Sequence, residues 1–109
     1  MIDSWELRRY LTVDDASLLM IGIDPAAEIT ASVRQGYDDK AFADYYAVRS
    51  ALMEAVLENE IVYTGNTNEE KAWYSVNISV ESLKIWLKNK RFVARRYFKW
   101  VNLPERLRR

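Results

Sequence analysis

The chain has 109 residues, half of them hydrophobic and fourteen of them aromatic, which is enough for the core of one domain and too little for two. It contains no cysteine and no histidine, which excludes disulfides, thiol redox chemistry, cysteine-ligated zinc and histidine-dependent catalytic triads. Sixteen basic and sixteen acidic residues give a net charge of zero. We therefore expect a single domain over residues 1–109 that carries no metal and no other cofactor.

The first elements are predicted from capping and terminating residues. A short helical or extended entry over residues 5–11 leads to Thr12, which is a typical N-cap for a helix over residues 13–21. Gly22 and the Asp24-Pro25 pair end that helix. Residues 26–37 have a weak pattern and are predicted to be a connection.

The central part predicts a long helix followed by a hairpin. Asp38 or Asp39 caps a helix that reaches about residue 60. Side chains recur on it at helical spacing and are predicted to include its buried face: Phe42, Tyr45, Tyr46, Arg49, Leu52, Met53, Val56 and Leu57. Residues 61–63 and 73–76 are candidate strands around a turn over residues 64–68.

The C-terminal part predicts a third helix and a basic tail. Ser79 is its expected N-cap, and Val80, Leu83, Trp86 and Leu87 are its expected buried stripe. The predicted fold class is α+β, mainly helical, with three principal helices, a small two-stranded hairpin and a basic C-terminal tail.

The zero net charge hides a segregation of the two signs. Residues 84–109, which are also rich in aromatic side chains, contain ten basic residues and one acidic residue, a net charge of +9. Residues 1–83 therefore carry −9. Because electrostatic potentials depend on where charges lie, a neutral chain of this kind can still have a strongly cationic surface.

The basic segment is the predicted nucleic-acid or nucleoprotein contact, because cations neutralise phosphates and exposed aromatic rings stack on bases. The predicted contact residues are Lys84, Lys88, Lys90, Arg91, Arg95, Arg96 and Lys99. Two simpler interpretations stay open. Cations are favoured near a helix C-terminus without any ligand, and the tail could fold back over the acidic body.

The order helix, hairpin, helix and basic tail also resembles winged helix-turn-helix modules. The candidate recognition helix covers residues 79–90, with Ser82, Lys84, Lys88, Asn89 and Lys90 on its outer side. Here the hairpin precedes the candidate helix, whereas in a typical winged module it follows that helix.

The acidic end of the long helix is the second candidate surface. Glu54, Glu58 and Glu60 crowd a helix C-terminus, where the dipole disfavours negative charge. The compensating charge is either the basic tail of the protein itself or a basic surface on a partner protein. The alternative to nucleic-acid binding is therefore binding of a host protein through these three carboxylates.

No residue set predicts catalysis. Asp24, Glu69 and Lys71 distantly resemble the carboxylate–lysine set of metal-dependent nucleases, but the last two lie in a polar turn and not on a strand. The three glycines are too far apart for a phosphate loop. We therefore expect a non-enzymatic binding module.

Two stretches resemble short bacterial and prophage-encoded accessory proteins. The first has Trp5 followed by Leu11-Thr12, Ala16, Leu19, Gly22 and Asp24-Pro25, an opening of the form LTxxxAxxLxxGxDP. The second, over residues 76–98, is a capped helix with a Trp86-Leu87 pair that leads to a segment ending in aromatic residues. The resemblance implies a phage setting and action by binding, either as a regulator on DNA or as an inhibitor of a host machine in the manner of anti-CRISPR proteins.

The sequence also bears on location and partners. It has no apolar run of the roughly 18 residues that a membrane-spanning helix needs, and no signal-peptide pattern at the N-terminus. We expect a cytoplasmic protein without a membrane partner. The opposite charges of its two parts could also pair between two copies, which would give a homodimer.

Overall fold

The computed structural model describes residues 4–92 and 96–98. The helices are α1 (Val13–Met20), α2 (Ile29–Gln35), α3 (Asp39–Leu57) and α4 (Val80–Asn89), with single 3-10 turns at Ser4–Leu7 and Ala72–Tyr74. The strands are β1 (Tyr10–Thr12), β2 (Tyr63–Thr64) and β3 (Asn77–Ser79). They form one antiparallel sheet in the order β1-β3-β2. The predicted α+β, mainly helical class is confirmed.

Side-chain caps begin the three predicted helices. The side chains of Thr12, Asp38 and Ser79 each accept a hydrogen bond from the backbone N–H three residues further on, at 3.0, 3.1 and 3.2 Å. Each cap satisfies a donor that the first helical turn leaves without an intrahelical partner. These starting points were predictable because the capping interaction is local.

Helix α2 corrects the prediction that residues 26–37 form a connection without regular structure. Its N-cap residue, Glu28, makes no side-chain cap hydrogen bond, and only Thr30 and Val33 of the helix are buried. Val33 packs with Leu18 of α1 and Tyr45 of α3 in a small second cluster of buried side chains. Contacts between helices therefore form this element where the local sequence pattern is weak.

The predicted hairpin exists, but its strands lie at other residues. The return strand is Asn77–Ser79, whereas Trp73 lies in the 3-10 turn before it. Ile78 is opposite Tyr63 on one side and opposite Leu11 on the other, so the strand before α1 adds a third member to the ribbon. Strand β3 has three residues and one buried side chain, which is too short for an alternation of apolar and polar residues to be recognised. Its pairing with β1 joins Leu11 and Ile78, 67 residues apart, and such a contact leaves no local sequence pattern.

The main core lies between the sheet, α1, the second half of α3 and one face of α4. Val80, Leu83 and Leu87 are buried as predicted, and Trp86 is half-buried. On α3 the predicted face is partly wrong, because Tyr46 and Leu57 remain 52% and 60% exposed. Within the part of the chain that is described, no helix is both long enough and apolar enough to cross a membrane.

Candidate functional site

Helix α4 separates two surface regions. Its buried stripe of Val80, Leu83 and Leu87 faces the core, and the residues on either side of that stripe line two separate surface depressions. One flank lies against the segment that contains β1. The other lies against residues 60–62, just before β2.

The first region is a cleft of about 460 Å³, which we call the cationic cleft, defined by Arg8, Arg9, Tyr10, Glu81 and Lys84. The backbone N–H of Val80 donates to the carbonyl oxygen of Arg9 at 3.0 Å and holds β1 against the start of α4. Arg8 and Arg9 are exposed, and Lys84 is half-buried. Three cations from segments 75 residues apart in sequence thus line one concave surface, and Glu81 is the carboxylate that lines it among the described residues.

Tyr10 adds an aromatic ring to the cationic cleft. Tyr10 lies on an edge strand of the sheet and is 39% exposed. The guanidinium of neighbouring Arg8 lies 4.1 Å from the ring centroid of Trp5, a cation–π contact that orients Arg8.

Of the other predicted cations, the structure describes Lys88, Lys90, Arg91 and Arg96, and none of these four lines the cationic cleft. Lys88 follows Lys84 by one turn of α4 but already makes an interaction within the protein. Lys90 lies on the opposite flank, with its Nζ 3.9 Å from Glu60 Oε1. Arg91 is exposed at the end of α4. Arg95 and Lys99 lie outside the described residues.

Arg96 has a local partner. Its guanidinium lies 5.0 Å from the ring centroid of Tyr97, and its Cβ is near Gly22, just beyond the C-terminus of α1. A cation at this place is favoured by the partial negative charge of the helix end. Its position is therefore explained without a nucleic-acid ligand.

The tail aromatics within the described residues are not exposed stacking platforms. Tyr97 is 1% exposed and Phe98 is fully buried, and both belong to the main core. Phe92 packs against the same core and is half-buried. The expectation that tail aromatic rings are available to bases is wrong for Tyr97 and Phe98, because the fold places both in the core.

The three carboxylates of the predicted acidic surface do not have the same surroundings. Glu54 and Glu58 are exposed at the end of α3. Glu60 accepts a hydrogen bond from Trp86 Nε1 at 2.9 Å and pairs with Lys90. Compensation of the acidic end by the basic segment of the protein itself is thus confirmed at one of the three carboxylates.

The second region is a groove of about 640 Å³ between α4 and residues 60–62, which we call the α4 groove. Its walls include Val62, Ile85 and Trp86, and its charged side chains are Glu60, Glu81 and Lys90. Ser82 contributes less than the recognition-helix hypothesis supposed, because its hydroxyl accepts a hydrogen bond from the Val62 N–H at 2.9 Å.

A buried polar network that the sequence analysis missed joins α1, α2 and α3. Asp14 lies in the first turn of α1 and is 2% exposed. Arg34 binds its two oxygens through Nε at 3.2 Å and Nη2 at 2.5 Å, and the Tyr45 hydroxyl donates to Asp14 Oδ1. The sequence carries no local signal for this network, because Asp14 lies 20 residues from Arg34 and 31 residues from Tyr45.

The network raises the pKa values of Tyr45, which belongs to it, and of Asp15, whose Oδ1 lies 3.7 Å from Arg34 Nη2. Burial, with the charge of Asp14, raises the pKa of the Asp15 carboxyl above its ordinary value. Burial and the hydrogen bond to Asp14 raise the pKa of the Tyr45 hydroxyl strongly. Both oxygens of Asp14 are occupied, and the arrangement acts as a junction of helices.

The carboxylates of the suspected nuclease set have other partners. Asp24 Oδ1 accepts hydrogen bonds from Trp5 Nε1 at 3.1 Å and from the Ala26 N–H at 2.8 Å. Glu69 Oε2 accepts one from the Ser75 hydroxyl at 2.9 Å. Among the described residues there is no group of three or more side chains of metal-ligating type.

Comparison with known proteins gives no match to this chain: no family model, no curated protein and no solved structure is significantly similar to it. The relation to short prophage-encoded proteins therefore stays a prediction, and the functional argument depends on the chemistry of the two surfaces beside α4.

Proposed function

We propose that the protein is a non-enzymatic module that binds nucleic acid, and that the cationic cleft is the primary contact. The observation that carries this proposal is the convergence of Arg8, Arg9 and Lys84 on one concave surface. Two of these cations come from the part of the chain that is acidic as a whole. The proposed contact surface keeps Lys84 from the seven cations suggested by sequence and adds Arg8 and Arg9.

The chemistry of the cleft suits a phosphate backbone. Two guanidinium groups and one ammonium group can each neutralise a phosphate and release its condensed counterions, which supplies sequence-independent affinity. Tyr10 stands beside them with an exposed ring on which an unpaired base can stack. The combination of cations and one ring favours single-stranded segments over uninterrupted duplex.

Salt dependence of binding tests this proposal. Fluorescence anisotropy would follow labelled 20-nucleotide single-stranded DNA, the matching RNA and the DNA duplex between 50 and 200 mM NaCl. If three phosphates are neutralised, log K should fall against log salt with a slope of about −2.1 for single strands and about −2.7 for duplex. Absence of binding to all three probes at 50 mM salt would overturn the proposal.

A matched pair of lysine variants locates the contact. Lys84→Ala should weaken binding and reduce the magnitude of the slope by about 0.7 for single strands. Lys40→Ala removes the same charge from an exposed site in the first turn of α3 and should leave the slope unchanged. Equal effects of the two variants would mean that net charge alone attracts the nucleic acid, and the cleft would not be the site.

A further inference from the structure

We infer that the α4 groove binds a short peptide segment of a partner protein, in which large apolar residues are flanked by arginine or lysine. This surface lies on the other flank of α4 from Lys84, and Glu81 at the start of the helix borders both it and the cationic cleft. The inference does not depend on nucleic-acid binding.

The apolar floor of the groove is the first reason. Val62 and Ile85 are 61% and 55% exposed although they line the same concavity, and the half-buried indole of Trp86 lies beside them. Single exposed aliphatic residues need no explanation, but several that share one groove are typical of an interaction site. The hydrogen bond from Trp86 Nε1 to Glu60 fixes the indole before any partner arrives.

The charge around that floor selects the partner. Glu81 lies in the first turn of α4 and Glu60 lies near its last turn, so carboxylates stand toward both ends of the groove. The side chain of Glu60 is still 45% exposed although it pairs with Lys90. A segment with an apolar centre and basic ends is complementary to this pattern.

The length of the groove sets the size of the occupant. It follows the ten residues of α4, which span about 15 Å at 1.5 Å per residue. An extended chain covers that distance in about five residues. The occupant is therefore a short linear segment, and not the face of another folded domain.

Lys90 allows the sign of the peptide's charge to be tested, because its ammonium group competes with a basic partner for the Glu60 carboxylate. Lys90→Ala should strengthen the binding of a basic peptide about 2- to 3-fold, whereas Glu81→Gln should weaken it by a similar factor. An acidic peptide would show the opposite sign for both substitutions.

The experiment is an NMR titration of the 15N-labelled protein with a defined probe, acetyl-Arg-Leu-Ser-Leu-Arg-amide, and with its counterpart in which both arginines are replaced by glutamate. We expect saturable shifts of the Val62, Ile85 and Asn89 amides with the basic probe and none with the acidic one. No shift with the basic probe, or equal shifts with both probes, would overturn the inference.

Matched variants exclude adhesion to any exposed apolar side chain. Ile85→Ser should weaken the basic probe at least 10-fold, whereas Leu57→Ser, which removes another exposed aliphatic side chain from a helix, should have no effect. Glu70→Gln and Lys40→Ala are the charge controls, since both residues are exposed outside the groove. Equal losses of affinity for the basic probe in Ile85→Ser and Leu57→Ser would contradict the inference. So would an Ile85→Ser variant that still binds the basic probe as tightly as the unmodified protein but no longer binds nucleic acid.

Discussion

Two carboxylates of this protein have partners of the same chemical kinds but lie in opposite surroundings. Asp14 accepts a hydrogen bond from the Tyr45 hydroxyl and pairs with Arg34 in the interior. Glu60 accepts one from an indole N–H and pairs with Lys90 on the surface. The side chain of Asp14 is 3% exposed and that of Glu60 is 45% exposed.

Burial decides what each set of contacts does. In the interior an unpaired charge is costly, so each partner of Asp14 is needed and the three helices are held in one arrangement. On the surface, water and ions solvate Glu60 almost as well as Lys90 does, so the pair adds little stability and can be exchanged for another cation. A carboxylate with similar partners therefore holds helices together in the interior, as Asp14 does, and remains able to bind another cation on the surface, as Glu60 does.

The largest expected effect tests the buried side of this comparison. Asp14→Asn removes the charge that Arg34 pairs with, and we expect it to lower the free energy of unfolding by about 3 kcal/mol. For a domain of this size the melting temperature should fall by roughly 12–24 °C. Urea and thermal unfolding followed by circular dichroism would measure both quantities.

The control for that prediction is Asp39→Asn, which changes an exposed carboxylate and should alter stability by less than about 0.5 kcal/mol. A loss below 1 kcal/mol in Asp14→Asn would show that the buried junction does not hold the helices together.

An intermediate effect is expected from Tyr45→Phe. It leaves Asp14 with Arg34 alone and should cost about 1–2 kcal/mol, because one buried hydrogen bond to a charged group is lost. Tyr46→Phe changes a ring that is 52% exposed and should behave like the unmodified protein.

The same tyrosine gives a pH dependence. Because burial and Asp14 raise the pKa of Tyr45 in the folded protein, its contribution to stability is complete below the ordinary pKa of tyrosine, about 10, and is lost as the pH rises above it. Urea unfolding between pH 8 and 10.5 should show a smaller decline for Tyr45→Phe than for the unmodified protein. Parallel declines would assign the alkaline sensitivity to other groups.

The smallest effect belongs to the surface pair. Glu60→Gln keeps an oxygen acceptor for the Trp86 N–H but removes the charge opposite Lys90, and should cost about 0.5 kcal/mol at low salt. In 1 M NaCl, where the screening length is about 3 Å, the difference from the unmodified protein should vanish. A salt-independent loss of several kcal/mol would mean that the two carboxylates play the same structural role.

The candidate site shows the limits of sequence reasoning in the same physical terms. The basic segment was found from its composition, but composition does not distinguish a cation that faces solvent from one paired with Glu60. Arg8 and Arg9 were counted with the acidic part of the chain, and only the pairing of β1 with β3 brings them to Lys84. Tyr97 and Phe98 stand in a basic, aromatic run, yet the fold places both in the core.

The sequence alone determined the fold class and the starts of α1, α3 and α4, because Thr12, Asp38 and Ser79 act on backbone groups only three residues away. Only the tertiary structure decided that α2 forms, that β1 completes the sheet and that Asp14 is buried. These outcomes depend on partners 12 to 67 residues distant, and the pairing of such groups is set by the packing of the whole chain.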